Sequence, residues 1–416
     1  MSMQKYWLWL TTRKGMGPGA ALAVARHFSS PEQAFFADPA EYELIPGLSR
    51  EQRDGLKDKS MELPRQIDAD CRRLDVRILT LQDSDYPGRL RQIDVPPAVL
   101  YVRGRLPLVD EEAAIAMAGT RKCSPYGEKM AGLLAYQITR LGGLVVTGVV
   151  EGCDRAAATA ALKAGGPVVC VLAGGVDVPY HRSCQALYQD VAQNGALISE
   201  YPPGTPHLGR HFPVRNRILT GLCLGVVCVE AAAGSGTLLV ADLALEQSRD
   251  VFAVPGNADA PASAGTNGLL KQGAIPVENG ADVLNFYTHL FPRLAASSPP
   301  DEAVMQARLA QPAAPPAGHR SPAPEKSPAV GEKPVDNGEE CVYIDLKDHW
   351  QEFTDDERDI LLMLRDGPMT VDDLIDRTQI PAGRLSQTLT LLELRGLAEK
   401  ASGQRFRALA RLVTEE

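Results

Sequence analysis

Between about residues 66 and 286, short apolar runs alternate with longer stretches in which apolar positions recur at helical spacing. The runs 76–81, 98–103, 113–118, 144–147, 168–172, 196–199, 225–230 and 251–254 predict strands. The stretches 127–141, 154–164, 184–193, 214–221, 237–247 and 266–271 predict helices between or after them. This alternation predicts an α/β domain, Rossmann-like, with a doubly wound and mostly parallel sheet. Right-handed crossovers would carry loops 119–126, 148–153, 173–182, 200–212 and 231–236 to one rim. Open α/β sheets bind their ligands at that rim.

The flanks follow other patterns. Gly15, Met16, Gly17 and Pro18 precede a helical stretch at 20–28, and Ile45, Pro46, Gly47 and Leu48 precede another at 49–57. Such turns resemble helix-hairpin-helix (SAM-like) units, whose amides can contact phosphate. With no basic cluster at the second turn, packing is the preferred role. Residues 292–338 are rich in Pro, Ala, Ser and Glu without apolar period, which predicts a flexible tether. Beyond it the pattern predicts helices at 355–364, 370–377 and 382–395 and a β wing around Gly403, a winged-helix arrangement. The expected domains are a helical 1–65, a Rossmann-like 66–290, a linker 291–340 and a winged helix 341–416.

Composition narrows the class. A chain of 416 residues, 44% hydrophobic and 23% charged, suits two or three folded domains. Its apolar runs are cut by Gly or Glu and fall far short of a membrane span. The first residues place a lysine before a very short apolar run and offer no small-residue cleavage site. A cytoplasmic protein is therefore expected, with no membrane partner. The eight cysteines, at 71, 123, 153, 170, 184, 223, 228 and 341, form no C-x-x-C pair. Buried reduced thiols are expected, with no metal site and no cofactor.

Net charge is -9, yet residues 205–217 hold Arg210, Arg215, Arg217, His207 and His211 and no acid. Local positive charge is what a phosphate backbone feels. Residues 341–416 carry 10 basic against 15 acidic residues, net -5, so the winged helix is expected to contact protein rather than duplex.

Three rim loops have suitable chemistry. Gly119, Thr120 and Arg121, followed by Ser124, offer amides, hydroxyls and a guanidinium at a helix start. Phe212, Arg215, Asn216 and Arg217 add a stacking face and further donors. Ser235, Gly236 and Thr237 permit close approach of an anion. No dinucleotide fingerprint or Walker A loop is present.

These stretches carry a family resemblance. AGTRKCSPYGEKMA (118–131), SEYPPGTPHLGRHFPVRNRILTGL (199–222), VVCVEAAAGSGTLLVADLAL (226–245) and RDVFAVPGNADAPASAGTNGLLKQGA (249–274) resemble the DNA-processing protein A (DprA, or Smf) family. The resemblance implies a Rossmann-like domain that binds and protects incoming single-stranded DNA, dimerises, and loads a RecA-type recombinase in natural transformation. The implied DNA-binding residues are Gly119, Thr120, Arg121, Ser124, Gly148, Arg210, Phe212, Arg215, Asn216, Arg217, Ser235, Gly236, Thr237 and, more weakly, Lys271. Two stretches depart from the family pattern. TGVVEGCD (147–154) brings Glu151 into a phosphate-facing loop, and GVDVPYHRSC (175–184) exchanges Tyr and Pro and lacks an asparagine.

An enzymatic reading stands beside this one. Related phosphoribohydrolases carry P-G-G-x-G-T-x-x-E where this chain has AAGSGTLLV (232–240), so Val240 takes the place of the glutamate. A valine transfers no proton. No catalytic residue is therefore expected, and a nucleotide-binding sensor is the alternative to a strand-binding factor.

Overall fold

A computed structural model describes residues 3–149 and 151–296, together with a subset of positions between 342 and 411. It divides into two compact units, Met1–Arg320 and Ser321–Glu416.

The first unit begins with five helices: α1 (Gln4–Thr11), α2 (Pro18–His27), α3 (Pro31–Phe36), α4 (Arg50–Lys57) and α5 (Glu62–Arg73). Ser49 and Gln52 close a reciprocal cap on α4, which satisfies two orphan amides at its start. Trp7 and Trp9 of α1 are buried in the same apolar cluster as Val76, Tyr101 and Ile115 of the sheet. The helical region and the sheet thus share a core. The expected boundary at 65/66 falls inside α5, so the chain does not divide there.

Nine strands form one sheet: β1 (Val76–Thr80), β2 (Val99–Gly104), β3 (Ala113–Ala118), β4 (Gly143–Thr147), β5 (Val168–Val171), β6 (Ala196–Ser199), β7 (Gly225–Cys228), β8 (Asp250–Ala253) and β9 (Ile275–Pro276). Their order is β1-β2-β6-β5-β4-β3-β7-β8-β9. Every pairing from β6 to β9 is parallel, and β2 runs antiparallel to both β1 and β6. Helices α6 (Gly88–Arg91), α7 (Pro125–Arg140), α8 (Cys153–Lys163), α9 (Gln185–Asn194), α10 (His211–Gly221), α11 (Gly236–Glu246), α12 (Ala264–Lys271) and α13 (Gly280–Leu284) complete the unit. All six residues of β3 are buried, as a central strand covered on both faces requires. Two apolar clusters pack against the sheet.

Strand order reverses between β3 and β7, so the crevice opens where their carboxyl ends diverge. The expected linker does not begin at 291. Leu294 is buried in the core, and Arg293 donates to the Glu111 carbonyl at 3.0 Å and pairs with Glu112. The remaining expected linker, 297–340, lies outside the described residues.

The second unit pairs Ala398–Ala401 with Arg405–Ala408 as an antiparallel wing, and Met369–Thr370 adds to its edge. Thr370 and Asp373 cap the helix Val371–Thr378 reciprocally. Ile360, Leu364, Leu374, Leu385, Leu389, Leu392 and Phe406 are buried together. Gly403 and residues 355–359 lie outside the described residues.

Candidate nucleic-acid interface

The loop after β3 is fixed from beneath by Glu230, buried two residues past the end of β7. Its carboxylate accepts from the Ser124 amide at 2.8 Å and the Ser124 hydroxyl at 2.6 Å. The Ser124 Oγ in turn accepts from the Gly127 amide at 3.1 Å, capping α7, whose first residue is Pro125. Ser124 thus spends its donors on holding the loop. A side chain at Gly127 would collide with Glu230, which leaves glycine as the fitting residue there.

The loop after β4 interlocks with it. The Cys153 amide donates to the Thr120 carbonyl at 3.2 Å. Gly152, at φ +75°, lies so close to the Thr120 and Arg121 carbonyls that a Cβ would overlap them. Asp154 is buried at the start of α8, where the amides of Gly148 and Gly119 favour its charged form. Burial pushes its carboxyl up to about 7, against the opposing pull of Arg215, those amides and Arg121.

Arg215 projects from α10 beneath this rim. It is 5% exposed, its Nη2 stands 3.9 Å from Asp154 Oδ2, and its Nε has no hydrogen-bond partner. A Cβ on Gly148 would fall 2.8 Å from the same Nη2, so glycine admits the guanidinium. The pair is an ion pair without a short hydrogen bond, and its cation adds positive potential beneath the crevice. Burial lowers the Arg215 pKa, and Asp154 opposes that shift.

Above Arg215 sits Phe212. The Arg121 guanidinium lies 5.6 Å from the Phe212 ring centroid, and Arg215 lies 5.7 Å from it. Arg121 is exposed and donates through Nη1 to the Tyr180 hydroxyl at 2.9 Å. Tyr180 meets Phe212 edge-on, with centroids 5.8 Å apart, and His207 edge-on at 5.6 Å. His207 Nε2 bonds the Val178 carbonyl at 2.8 Å, and burial lowers the imidazole pKa, which favours the neutral ring. His211 bonds the Ala173 carbonyl and stacks on Tyr201.

The structure therefore brings Gly119, Thr120, Arg121, Ser124, Gly148, Phe212 and Arg215 into one connected group. Arg210, exposed at the N-cap of α10, and Asn216, buried in the same helix, lie beside it. Ser235, Gly236 and Thr237 open α11 on the far side of the switch point, with Ser235 Oγ accepting from the Thr237 amide at 3.1 Å. Arg217 stands apart. Two residues beyond Arg215, it faces the other side of α10, where its Nη2 donates to both Glu200 oxygens at 2.7 Å. Lys271 ends α12, which links parallel strands β8 and β9, so it lies at the opposite rim, where strands begin.

Glu151 is exposed, 3.9 Å from His181 Nδ1, and does not enter the arginine group. His181 accepts from the Ser183 amide, and Arg182 is exposed. Val240 is buried in the sheet core, so that position brings no acid into the crevice. Among the described residues, no group of His, Cys, Asp and Glu is placed to hold a metal, and no helix is long and apolar enough to cross a membrane. Cys71, Cys153, Cys170, Cys184, Cys223 and Cys228 are buried and unpaired, Cys123 is half-buried, and Cys341 lies outside the described residues. Sequence reading missed Tyr180, Asp154 and Glu230 as parts of this site. The local signals were the exchange of Tyr and Pro at 179–180 and the family aspartate kept at 154.

A family profile described as DNA recombination-mediator protein A matches residues 77–288, the span that holds every loop of this rim. The chain belongs to that family. A second profile, DprA winged helix domain, matches residues 349–404 and identifies the second unit. Within the family, Protein Smf of Synechocystis sp. is 29% identical over 412 residues, 97% of this chain and 98% of the relative. DNA processing protein DprA of Bacillus subtilis is 35% identical over 256 residues, 59% of this chain and 86% of the relative. The X-ray structure of DprA from Streptococcus pneumoniae superposes with a TM-score of 0.60 at 31% identity, over 68% of this chain and 98% of that one.

Proposed function

We propose that this protein is a DNA-processing factor of transformation that binds single-stranded DNA at the β3–β7 rim and passes it to a RecA-type recombinase. The observation that carries the reading is Arg121, an exposed guanidinium lying over the Phe212 ring in a crevice underlain by the buried cation of Arg215. Guanidinium groups neutralise backbone phosphates whatever the base sequence, and the aromatic ring keeps the Arg121 cation oriented, so the pairing suits a strand of arbitrary sequence. Gly119, Thr120, Arg121, Arg210 and Phe212 form the proposed contact set, and Arg215 and Asn216, both buried, back it from α10. Ser124, Gly148, Ser235, Gly236 and Thr237 shape it, and Arg217 and Lys271 fall outside it.

The protein acts without catalytic turnover in this reading. Glu230 is committed to Ser124, Asp154 faces the Arg215 guanidinium, and the position that would bring a further acid is Val240. A homodimer through the Rossmann-like domain and a cytoplasmic location complete the proposal. Arg121→Ala tests it. Anisotropy of a labelled strand should show weaker binding and a salt dependence shallower by about one phosphate contact. Unchanged affinity and slope would remove this rim from DNA binding.

A further inference from the structure

We propose that Tyr180 is a positioning residue for strand binding, holding the Arg121 guanidinium in place over Phe212 through its hydroxyl. The inference rests on the strand-binding reading of this rim and assigns a role to the segment where the chain departs from the family pattern. Tyr180 is itself braced on three sides. The buried Tyr188 hydroxyl accepts from its backbone amide at 3.2 Å, and the rings of His207 and Phe212 meet its ring edge-on. His207 is in turn tied to the Val178 carbonyl. Arg121, by contrast, is exposed on a loop, and a free arginine side chain has many rotamers to lose on meeting a phosphate.

The geometry removes part of that loss before the strand arrives. Nη1 donates to Tyr180 at 2.9 Å while the guanidinium lies over the Phe212 ring. A guanidinium has five N–H donors, so one spent on Tyr180 leaves a forked pair for phosphate oxygens. A phenylalanine at 180 would keep both ring contacts and lose only the hydroxyl.

The test is a double-mutant cycle on the full chain: wild type, Tyr180→Phe, Arg121→Ala and the double variant, titrated with a labelled oligothymidylate over a salt series. Tyr180→Phe should weaken binding about three- to tenfold, the cost of ordering one rotamer-rich side chain at binding. Its salt slope should match wild type, because the same phosphates are neutralised. The double variant should bind no more weakly than Arg121→Ala alone. Tyr180→Phe binding like wild type would overturn the proposal. So would an equal loss in both backgrounds, the mark of a residue that only packs the loop. If Arg121→Ala itself leaves affinity and slope unchanged, the strand-binding reading of the rim fails first, and the role of Tyr180 falls with it.

Discussion

At Gly152 the backbone takes φ +75° against the Thr120 and Arg121 carbonyls, which couples the conformation of one loop to the aim of an arginine in another. Gly152→Ala would force both a strained backbone and an overlap, at a cost on the order of 1–3 kcal/mol. It should lower the urea midpoint and weaken strand binding together, whereas a variant with unchanged midpoint and affinity would show that the two loops move freely. Asp154 gives a pH signature. Its carboxyl is raised from 3.8 to about 7, so the folded chain binds more protons than the unfolded chain between those values. The stability contributed by this group is therefore fully present below about 4 and lost as pH rises through about 7. Asp154→Asn should flatten that decline. Melting midpoints of the two proteins should lie nearest at pH 4 and separate toward pH 8 as wild type declines, and parallel curves would contradict this.

At the scale of elements, sequence pattern predicts the sheet closely where strands are continuous apolar runs. The strands at 113–118 and 196–199 fall where expected, while α7 and α11 begin at Pro125 and Gly236, just ahead of the expected 127 and 237, behind the caps Ser124 and Ser235. Ser235→Ala should cost about 1 kcal/mol through the lost cap on α11, read as a shift in chemical denaturation. The helix α5 was not legible because Pro64 reads as a break. In the structure Pro64 lies in the first turn, where its missing N–H costs nothing. The edge strand β9, two residues long and half exposed, offers too little pattern to recognise. The contact residues Arg121 and Phe212 were visible as chemistry, but their supports were not. Tyr180 lies 59 residues from Arg121, and Glu230 lies 106 residues from Ser124, so only the folded topology pairs them. Arg217 shows the converse: its motif looks like phosphate chemistry, yet its Nη2 is held by both Glu200 oxygens.

At the scale of the molecule, the helical region and the sheet share one core, while the second unit has its own around Leu374, Leu389 and Phe406. The acidic balance of residues 341–416 disfavours autonomous affinity for phosphate. Removing residues after Arg320 should therefore leave strand affinity within about twofold of the full chain. The measurement that bears most directly on the central claim is anisotropy of a labelled single strand against the full chain over a salt series, with equal-length duplex and mononucleotides as competitors. The account predicts a steep salt dependence, weak competition by duplex and none by mononucleotides. Salt-indifferent binding that a mononucleotide displaces would contradict it and make the rim a small-nucleotide site instead.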